Sequence, residues 1–311
     1  MGERLAFVFP GQGSQYVGMG KSLQEISPRA REMFSLANQT LGLDLRALCM
    51  EGPEEALRLT ENTQPAILLV SAMAAGLLRE RGINPVIAAG HSLGEYSALV
   101  AAGALSLEDA LVLVRKRGQF MREATPPGMG AMAALIGLSV EAVEEICFKA
   151  RDGEVLQPAN LNGADQVVIA GHAGAVERAI RLAKEAGAAR AVLLQVSAPF
   201  HCALMEPAAQ RLAVELDRIP LGNLAFPVVA NVSARPMTTG AEARSALKAQ
   251  VCAPVRWLET MDTILGQEVE RIVEVGPGRV LSGLFKRHHR HLKVANVEDA
   301  ASLERALEGL P

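Results

Sequence analysis

The sequence predicts an α/β protein built on a mostly parallel sheet with helices on both faces. Short, uninterrupted apolar runs alternate with longer segments of helical periodicity, which is typical of strands buried on both sides. Between about residues 129 and 197 this alternation changes, which predicts a second, smaller unit inserted into the first. A chain of 311 residues is long enough for such a two-part organisation.

The N-terminal elements follow this pattern. The apolar run "LAFVF" reads as a buried strand, and "PGQGS" after it cannot continue a ladder, so we expect a loop carrying Gln12 at the strand end. Helical periods follow in "SPRAREMFSLANQTLG" and "TQPAILLVSAMAAGLLRERG". We expect the second helix to have Pro65 in its first turn and to close on Gly82. The strand "VIAAG" then leads into "GHSLG" at residues 90–94, and another helix-like segment follows.

The inserted unit can be counted element by element. The segments "GAMAALIGL", "EVLQPANL", "QVVIAG" and "RAVLLQVS" read as strands, with helices after the first and the third. The order β–α–β–β–α–β is that of ferredoxin-like domains. Asn162-Gly163 predicts the turn between the middle strands. We therefore expect a large domain over residues 1–127 and 199–311 and a small domain over residues 128–198, after which helix and strand patterns resume.

Composition excludes several classes of protein. A net charge of −3 and an aromatic content of 4% provide neither a basic surface nor a stacking platform, so nucleic acid is not an expected partner. The first apolar run is too short for a signal sequence or a membrane span. Reduced, widely spaced thiols predict a cytoplasmic protein without disulfides or a zinc site; they are Cys49, Cys147, Cys202 and Cys252.

The motif "GHSLG" raises two alternatives for Ser92. Between a strand and a helix, G-x-S-x-G can place a serine on a strained turn, with the Leu93 amide pointing at whatever bonds to the hydroxyl. A serine beside two glycines can also simply cap a helix. The strand before and the long apolar helix after the motif favour a nucleophile.

A serine nucleophile needs a base, and His201 is the preferred candidate. It lies in "VSAPFHCALM", where the chain returns from the inserted unit and a cleft would open. The alternative is an interior imidazole without a catalytic role. His91 is expected to pack beside the serine, and His172 to be structural. No acid stands at a convincing strand end between Ser92 and His201, so a carbonyl could orient the imidazole instead.

Arg117 is the most informative charge in the sequence. Its neighbours three and four positions away are apolar, so it faces the interior of a predicted helix. A buried guanidinium needs an anionic partner. That partner could be an Asp or Glu of this chain, or it could be a substrate carboxylate, which the planar fork of arginine binds well.

Two glycine-rich segments read first as turns. "PGQGS" lacks the lysine and hydroxyl pair of a phosphate-binding loop, but the Gln12 amide could be a second oxyanion donor beside Ser92. The segment "EVGPG" at residues 274–278 also reads as a turn.

Eight motifs follow one another along nearly the whole chain: "FVFPGQGSQ", "TQPAIL", "GHSLGEYSALVAAG", "RGQFM", "GAMAALIGL", "VVIAG", "HCALM" and "EVGPGRVLSGL". Together they closely resemble the malonyl-CoA:acyl carrier protein transacylases of fatty-acid synthesis and the acyltransferase domains of polyketide synthases. The resemblance implies an α/β-hydrolase-like large domain with an inserted ferredoxin-like small domain. It also implies an S-malonyltransferase that uses malonyl-CoA and acyl carrier protein and needs no metal or redox cofactor.

The resemblance also assigns roles to particular residues. It implies that Ser92 is acylated, that His201 is its base and that Arg117 grips the free malonyl carboxylate. The amides of Gln12 and Leu93 would form the oxyanion hole. A backbone carbonyl replaces the triad acid in this family, and the matching position in "KAQVCAPVRW" is Gln250.

Other features remain open at this point. Phe200 could disfavour substituents on the malonyl α-carbon by its bulk, and the chain is expected to be a monomer. Candidate docking charges for an acidic carrier protein are Lys286, Arg287 and Arg290.

One alternative function is a serine hydrolase with a late acid and His288, His289 or His291 as base. The other is a silent module that binds acyl carrier protein or CoA without forming an adduct.

Overall fold

The computed structural model describes residues 3–309, and its elements form two sheets with helices around them. The strands are β1 (Leu5–Phe9), β2 (Ile87–Gly90), β3 (Gly130–Ile136), β4 (Leu156–Gly163), β5 (Gln166–His172), β6 (Arg190–Leu193), β7 (Val228–Val229), β8 (Pro236–Met237), β9 (Arg271–Val275) and β10 (Lys293–Val297). The helices are α1 (Lys21–Ile26), α2 (Pro28–Leu41), α3 (Leu45–Glu51), α4 (Glu54–Arg58), α5 (Thr60–Glu80), α6 (Leu93–Ala101), α7 (Leu107–Glu123), α8 (Val140–Ala150), α9 (Ala173–Glu185), α10 (Glu206–Arg218), α11 (Gly240–Gln250), α12 (Trp257–Leu265), α13 (Val280–His288) and α14 (Ala300–Glu308).

The larger sheet has the strand order β10-β9-β1-β2-β7-β8 and is parallel except for the last pair. Its central strand β1 is entirely buried, and successive side chains enter different cores. Phe7 packs into the core with α5, α6 and α7, whereas Ala6 and Val8 pack into the core with α12 and α13. Burial on both faces explains the uninterrupted apolar run. The prediction of an α/β fold with a mostly parallel sheet is confirmed.

The smaller sheet has the order β4-β5-β3-β6, and every neighbouring pair in it is antiparallel. Along the chain its elements run β3, α8, β4, β5, α9, β6, which matches the predicted order. A separate apolar core joins this sheet to α8 and α9, with Leu135 and Ile169 from the strands against Val143 and Val176 from the helices.

The prediction for the start of α5 is wrong. The helix begins at Thr60, so Pro65 lies inside it rather than in the first turn. A proline at this position removes one backbone hydrogen bond. Tertiary contacts hold the additional turn, because Thr60 is fully buried and its hydroxyl hydrogen-bonds to the side chains of Gln12 and Ser197.

The predicted turn at Asn162-Gly163 is also displaced. Gly163 pairs with Gln166, so the reversal falls at residues 164–165. Asn162 still belongs to β4, and its Oδ1 lies 2.9 Å from Nε2 of His91. The asparagine therefore connects β4 to the loop that follows β2 and does not form the turn.

Parallel pairing brings the loops after β1 and β2 together. Phe9 is in register with Gly90, so both strands end at the same edge. A Cβ on Gly11 would lie 2.4 Å from the His91 carbonyl oxygen, and one on Gly94 would lie 2.1 Å from the Phe9 carbonyl oxygen. Only glycine permits this approach. The nearby edge of β4 is joined to Val255 by two backbone hydrogen bonds, so both sheets border this region.

Between residues 3 and 309, no helix combines the length and apolar character needed to cross a membrane.

Candidate active site

Ser92 lies on a sharp turn between β2 and α6, with φ 51° and ψ −102°. A Cβ on Gly90 would come within 1.9 Å of the Gly94 carbonyl, so the turn closes only with glycine at this position. The Ser92 side chain makes no capping hydrogen bond to α6. The capping alternative is therefore wrong, and the hydroxyl faces other partners.

The base predicted for the serine lies directly beside it. Nε2 of His201 is 2.7 Å from Ser92 Oγ, and Nδ1 of His201 is 2.9 Å from the Gln250 carbonyl oxygen. A carbonyl can only accept, so Nδ1 carries the proton and Nε2 is free to accept one from the serine. Gln250 is the last residue of α11, where helix carbonyls lack intrahelical partners. That position explains how a main-chain oxygen can take the place of an acid.

His201 is held neutral. Its side chain is only 3% exposed, and burial, followed by the nearby positive charge of Arg117, lowers the pKa of His201 to about 3. Its hydrogen bond to the Gln250 carbonyl opposes this shift. The imidazole is thus in the form that can act as a base at neutral pH.

Arg117 reaches the same serine from α7. Arg117 is 2% exposed, and its Nη2 donates to Ser92 Oγ at 3.0 Å and to Oε1 of Gln250 at 2.9 Å. Nη1 donates to Oε1 of Gln64 at 2.8 Å. These partners are neutral, the described residues include no ion-pair partner for Arg117, and its buried Nε has no hydrogen-bond partner. The alternative of a direct ion pair between Arg117 and an Asp or Glu of this chain is therefore not met within residues 3–309.

Gly118 allows Arg117 to reach the site. A Cβ at this position would lie 2.6 Å from the Glu61 Cα, so α7 crosses the first turn of α5 at very short range. The close crossing brings Gln64 of α5 within hydrogen-bond distance of Arg117.

The two proposed oxyanion donors border one cavity. Gln12 and Leu93 line a space of about 130 Å³ together with Ser92, Arg117 and Phe200. Leu93 is the first residue of α6, where backbone amides lack intrahelical acceptors. Within residues 3–309, neither the Leu93 amide nor the Gln12 amide is hydrogen-bonded to another protein group.

Besides Gln64, two residues at the site were missed by sequence reasoning. Asn231 Oδ1 accepts from the Ser92 amide at 2.7 Å, and its Nδ2 donates to the Gly90 carbonyl at 2.7 Å, so it braces the turn from both sides. Glu95 is fully buried, and its Oε2 accepts from the Asn231 amide and from Nε2 of Gln250. Glu95 is a charge in the otherwise apolar helix α6, just as Arg117 is a charge on the apolar face of α7, and this signal could have identified it.

A family model described as "Acyl transferase domain" matches residues 6–308 of this chain. The chain belongs to the acyl transferase domain family. A relative from Bacillus subtilis (strain 168) named malonyl CoA-acyl carrier protein transacylase is 48% identical over 308 residues, covering 99% of this chain and 97% of the relative.

Solved structures of similar proteins have the same fold. The malonyl CoA-acyl carrier protein transacylase of Coxiella burnetii superposes with a TM-score of 0.97 at 44% identity, covering 100% of this chain and 98% of that one. A chain in the structure of a type II PKS acyl-carrier protein in complex with its malonyl-transacylase superposes with a TM-score of 0.96 at 48% identity. The match covers 99% of this chain and 100% of that one.

Three other histidines of this acyl transferase chain have partners away from the Ser92 hydroxyl. His91 contacts Asn162 and packs against the Trp257 ring at 5.4 Å between centroids, as expected for a packing residue. His172 accepts a backbone hydrogen bond, and His288 lies 2.7 Å from an Asp262 oxygen. In the described chain, the imidazole at Ser92 Oγ is that of His201, which disfavours the hydrolase alternative with a late histidine.

The "EVGPG" turn is explained by helix capping. Glu274, at the end of β9, accepts hydrogen bonds from the amides of Leu281 and Ser282 at the start of α13. A carboxylate at a helix N-terminus satisfies free donors and complements the dipole. This contact gives the glutamate of the motif a structural role.

Proposed function

We propose that this chain is a malonyl-CoA:acyl carrier protein transacylase that supplies malonyl groups for fatty-acid or polyketide synthesis. One observation carries the proposal beyond acyl transfer in general. A buried guanidinium without an ion-pair partner in residues 3–309 lies 3.0 Å from the hydroxyl of Ser92, so the acyl group favoured there is one with a free carboxylate. Malonyl, the acyl group in the name of the relatives, has such a free carboxylate.

In the first half-reaction, Ser92 Oγ attacks the thioester carbonyl while its proton passes to Nε2 of His201. The amides of Leu93 and Gln12 stabilise the oxyanion. As the intermediate collapses, the carbon–sulfur bond breaks and His201 returns the proton to the departing CoA sulfur. The product is malonyl-Ser92 and free CoA.

In the second half-reaction, the phosphopantetheine thiol of the carrier protein attacks the malonyl ester. His201 takes the thiol proton and gives it to Ser92 Oγ as the ester bond breaks. The chain supplies every proton transfer, so the proposed reaction needs no metal or redox cofactor. Because no carboxylate accepts a hydrogen bond from its Nδ1, His201 is a modest base. Such a base deprotonates an attacking thiol more readily than an attacking water, which protects the acyl-enzyme from hydrolysis.

Intact-protein mass after brief exposure to malonyl-CoA tests the proposal. We expect one malonyl adduct, absent in Ser92→Ala and at least tenfold reduced in Arg117→Ala (roughly the loss of one charge-assisted hydrogen bond). Acetyl-CoA provides the matched control, because its acyl group has no carboxylate. Accumulation of free malonate without transfer would favour a hydrolase. Binding without any adduct would favour a silent carrier-binding or CoA-binding module and would overturn the proposal.

The surface that meets the carrier protein is proposed to include Lys286, Arg287 and Arg290. All three are exposed, and Arg287 also donates to Oε1 of Gln166 at 2.7 Å. Such charges speed the encounter with an acidic partner more than they set affinity. Charge reversal should slow transfer to carrier protein while leaving formation of malonyl-Ser92 unchanged. Unaltered transfer would remove these residues from the docking surface.

We propose a finer description of the architecture as well. The parallel sheet and its helices are assigned to an α/β-hydrolase-like domain over residues 1–127 and 199–311, and the antiparallel sheet to a ferredoxin-like domain over residues 128–198. Support comes from the strand order β4-β5-β3-β6 within the sheet. Along the chain, a helix follows the first of these strands, β3, and the third, β5. The chain is proposed to act as a monomer, since all side chains named in the mechanism come from one copy.

A further inference from the structure

Glu95 is a fully buried carboxylate that the mechanism above does not use. Its Oε2 accepts two hydrogen bonds, from Nε2 of Gln250 at 2.8 Å and from the Asn231 amide at 3.0 Å. Its Oε1 is buried without a hydrogen-bond partner in the described residues. An ionised carboxylate in such a place is costly unless a positive charge lies near.

The Gln250 side chain connects Glu95 to Arg117. Its Nε2 donates to Glu95, and its Oε1 accepts from Nη2 of Arg117 at 2.9 Å. A single carboxamide therefore stands between a buried anion and a buried cation, with its dipole aligned to both. The same Nη2 of Arg117 donates to Ser92 Oγ, so this chain of contacts ends at the nucleophile.

We propose, on the basis of the proposed function, that Glu95 is a positioning residue for the malonyl clamp. Through Gln250 it is the resident counter-ion of Arg117, and the malonyl carboxylate takes over that role when it binds. The two carboxylates thus compete for one guanidinium. When Glu95 is ionised, it stabilises Arg117 in the empty site and weakens the binding of the malonyl carboxylate to Arg117. When Glu95 is protonated, the full positive charge of Arg117 is available to the malonyl carboxylate.

The competition implies that malonyl binding is linked to proton uptake. Burial raises the pKa of Glu95 to about 7, although its hydrogen bonds with Asn231 and Gln250 and the charge of Arg117 oppose the shift. Once a malonyl carboxylate neutralises Arg117, that pKa rises further and Glu95 gains a proton. The neighbouring groups do not titrate in this range, because burial raises the pKa of Tyr96 to about 12 and burial with the Arg117 charge lowers that of His201 to about 3. The pKa of His91 is also lowered by burial.

Glu95→Gln separates the charge from the geometry. A glutamine can place Oε1 where Glu95 Oε2 accepts both hydrogen bonds, and its Nε2 where Oε1 has no partner. The substitution can therefore keep both contacts while removing the negative charge.

Calorimetric binding of malonyl-CoA and acetyl-CoA to Ser92→Ala protein, which cannot react, tests the proposal. From about pH 6 to pH 8 the malonyl-CoA Kd should rise about fivefold, as expected when binding raises the pKa of one group from about 7 by roughly one unit. Binding at pH 7 should take up a fraction of a proton, measured in buffers of different ionisation enthalpy. Acetyl-CoA should show neither effect beyond that of the CoA moiety itself.

In Ser92→Ala/Glu95→Gln, malonyl-CoA should bind at all these pH values with the affinity that Ser92→Ala shows at pH 6. A purely structural role would instead weaken both thioesters equally and leave the pH dependence unchanged, which would overturn the proposal. If the double variant does not fold, the proton uptake that accompanies malonyl-CoA binding to Ser92→Ala alone tests the proposal. Binding without proton uptake would then refute it. Failure of the proposed function is distinguishable, because wild-type protein would then form no malonyl adduct.

Discussion

At the scale of single residues, the site relies on two strained backbone positions. Ser92 and His201 both have positive φ, at 51° and 59°, a region that residues other than glycine rarely occupy. Such strain persists only where the surroundings fix it. Asn231 braces Ser92, and the carbonyl of Gln250 fixes the His201 ring. The nucleophile and its base are thus oriented before any substrate arrives.

The neutral state of His201 predicts a particular pH dependence of stability. Its pKa is about 3 in the folded protein and near 6.5 when unfolded, so between these values the unfolded chain binds the extra proton. Stability is therefore lost as pH falls below about 6.5. By pH 5 this residue alone should cost about 2 kcal/mol. Urea unfolding at pH 7.5 and pH 5 should show a smaller acid loss for His201→Gln than for wild type. An equal loss would contradict the burial of a neutral imidazole.

Sequence could predict some of the site residues and not others. Arg117 stood out because a charge on an apolar helix face is costly, and Glu95 carried the same signal. Gln64 and Asn231 are neutral amides, which sequence alone does not distinguish from surface residues. The role of Gln250 depends on a main-chain oxygen at the end of α11, and no side-chain pattern encodes it; only the family resemblance pointed to that position.

At the scale of elements, the decisive contact is the crossing of α5 and α7. Periodicity predicted both helices but not their separation, because that depends on one small residue meeting the backbone of the other helix. Gly118 provides this approach. The sequence pattern placed Pro65 in the first turn of α5, but the tertiary contacts of Thr60 allow the helix to begin earlier.

Gly118→Ala should therefore destabilise the protein by about 2–4 kcal/mol, because the added methyl meets backbone that cannot move aside cheaply. It should also lower malonyl-Ser92 formation more than acetylation, since Arg117 is displaced. Gly76→Ala in α5 is the matched control. Outside its own stretch of helix, no atom of the described residues lies within 4 Å of the added Cβ, so a gain of about 0.5–1 kcal/mol is expected. Chemical unfolding of both variants provides the measurement, and similar stabilities would refute the close crossing.

At the scale of the whole molecule, sequence predicted the two-sheet plan but not the order of the strands in the larger sheet. Alternating apolar runs indicate that parallel strands exist, and they carry no information about which strands are neighbours. The smaller sheet was easier to predict because all its strands lie within residues 130–193 and follow a known order. The cavity beside Ser92 is lined by residues from both sheet regions of the molecule, because Met132 of β3 and Leu93 of α6 both border it.

The position of β1 between β2 and β9 has a consequence for how the chain reaches its native state. One neighbour of β1 begins at Ile87 and the other only at Arg271, so the central ladder must close a very long loop, whereas β3 to β6 close short ones. During refolding, amides of β3 and β5 should gain protection from hydrogen exchange before those of β1 and β9. Simultaneous protection would contradict this order. During synthesis on the ribosome, the smaller, antiparallel sheet can therefore be complete before β9 and β10, the last strands of the larger sheet beside Ser92, have been made.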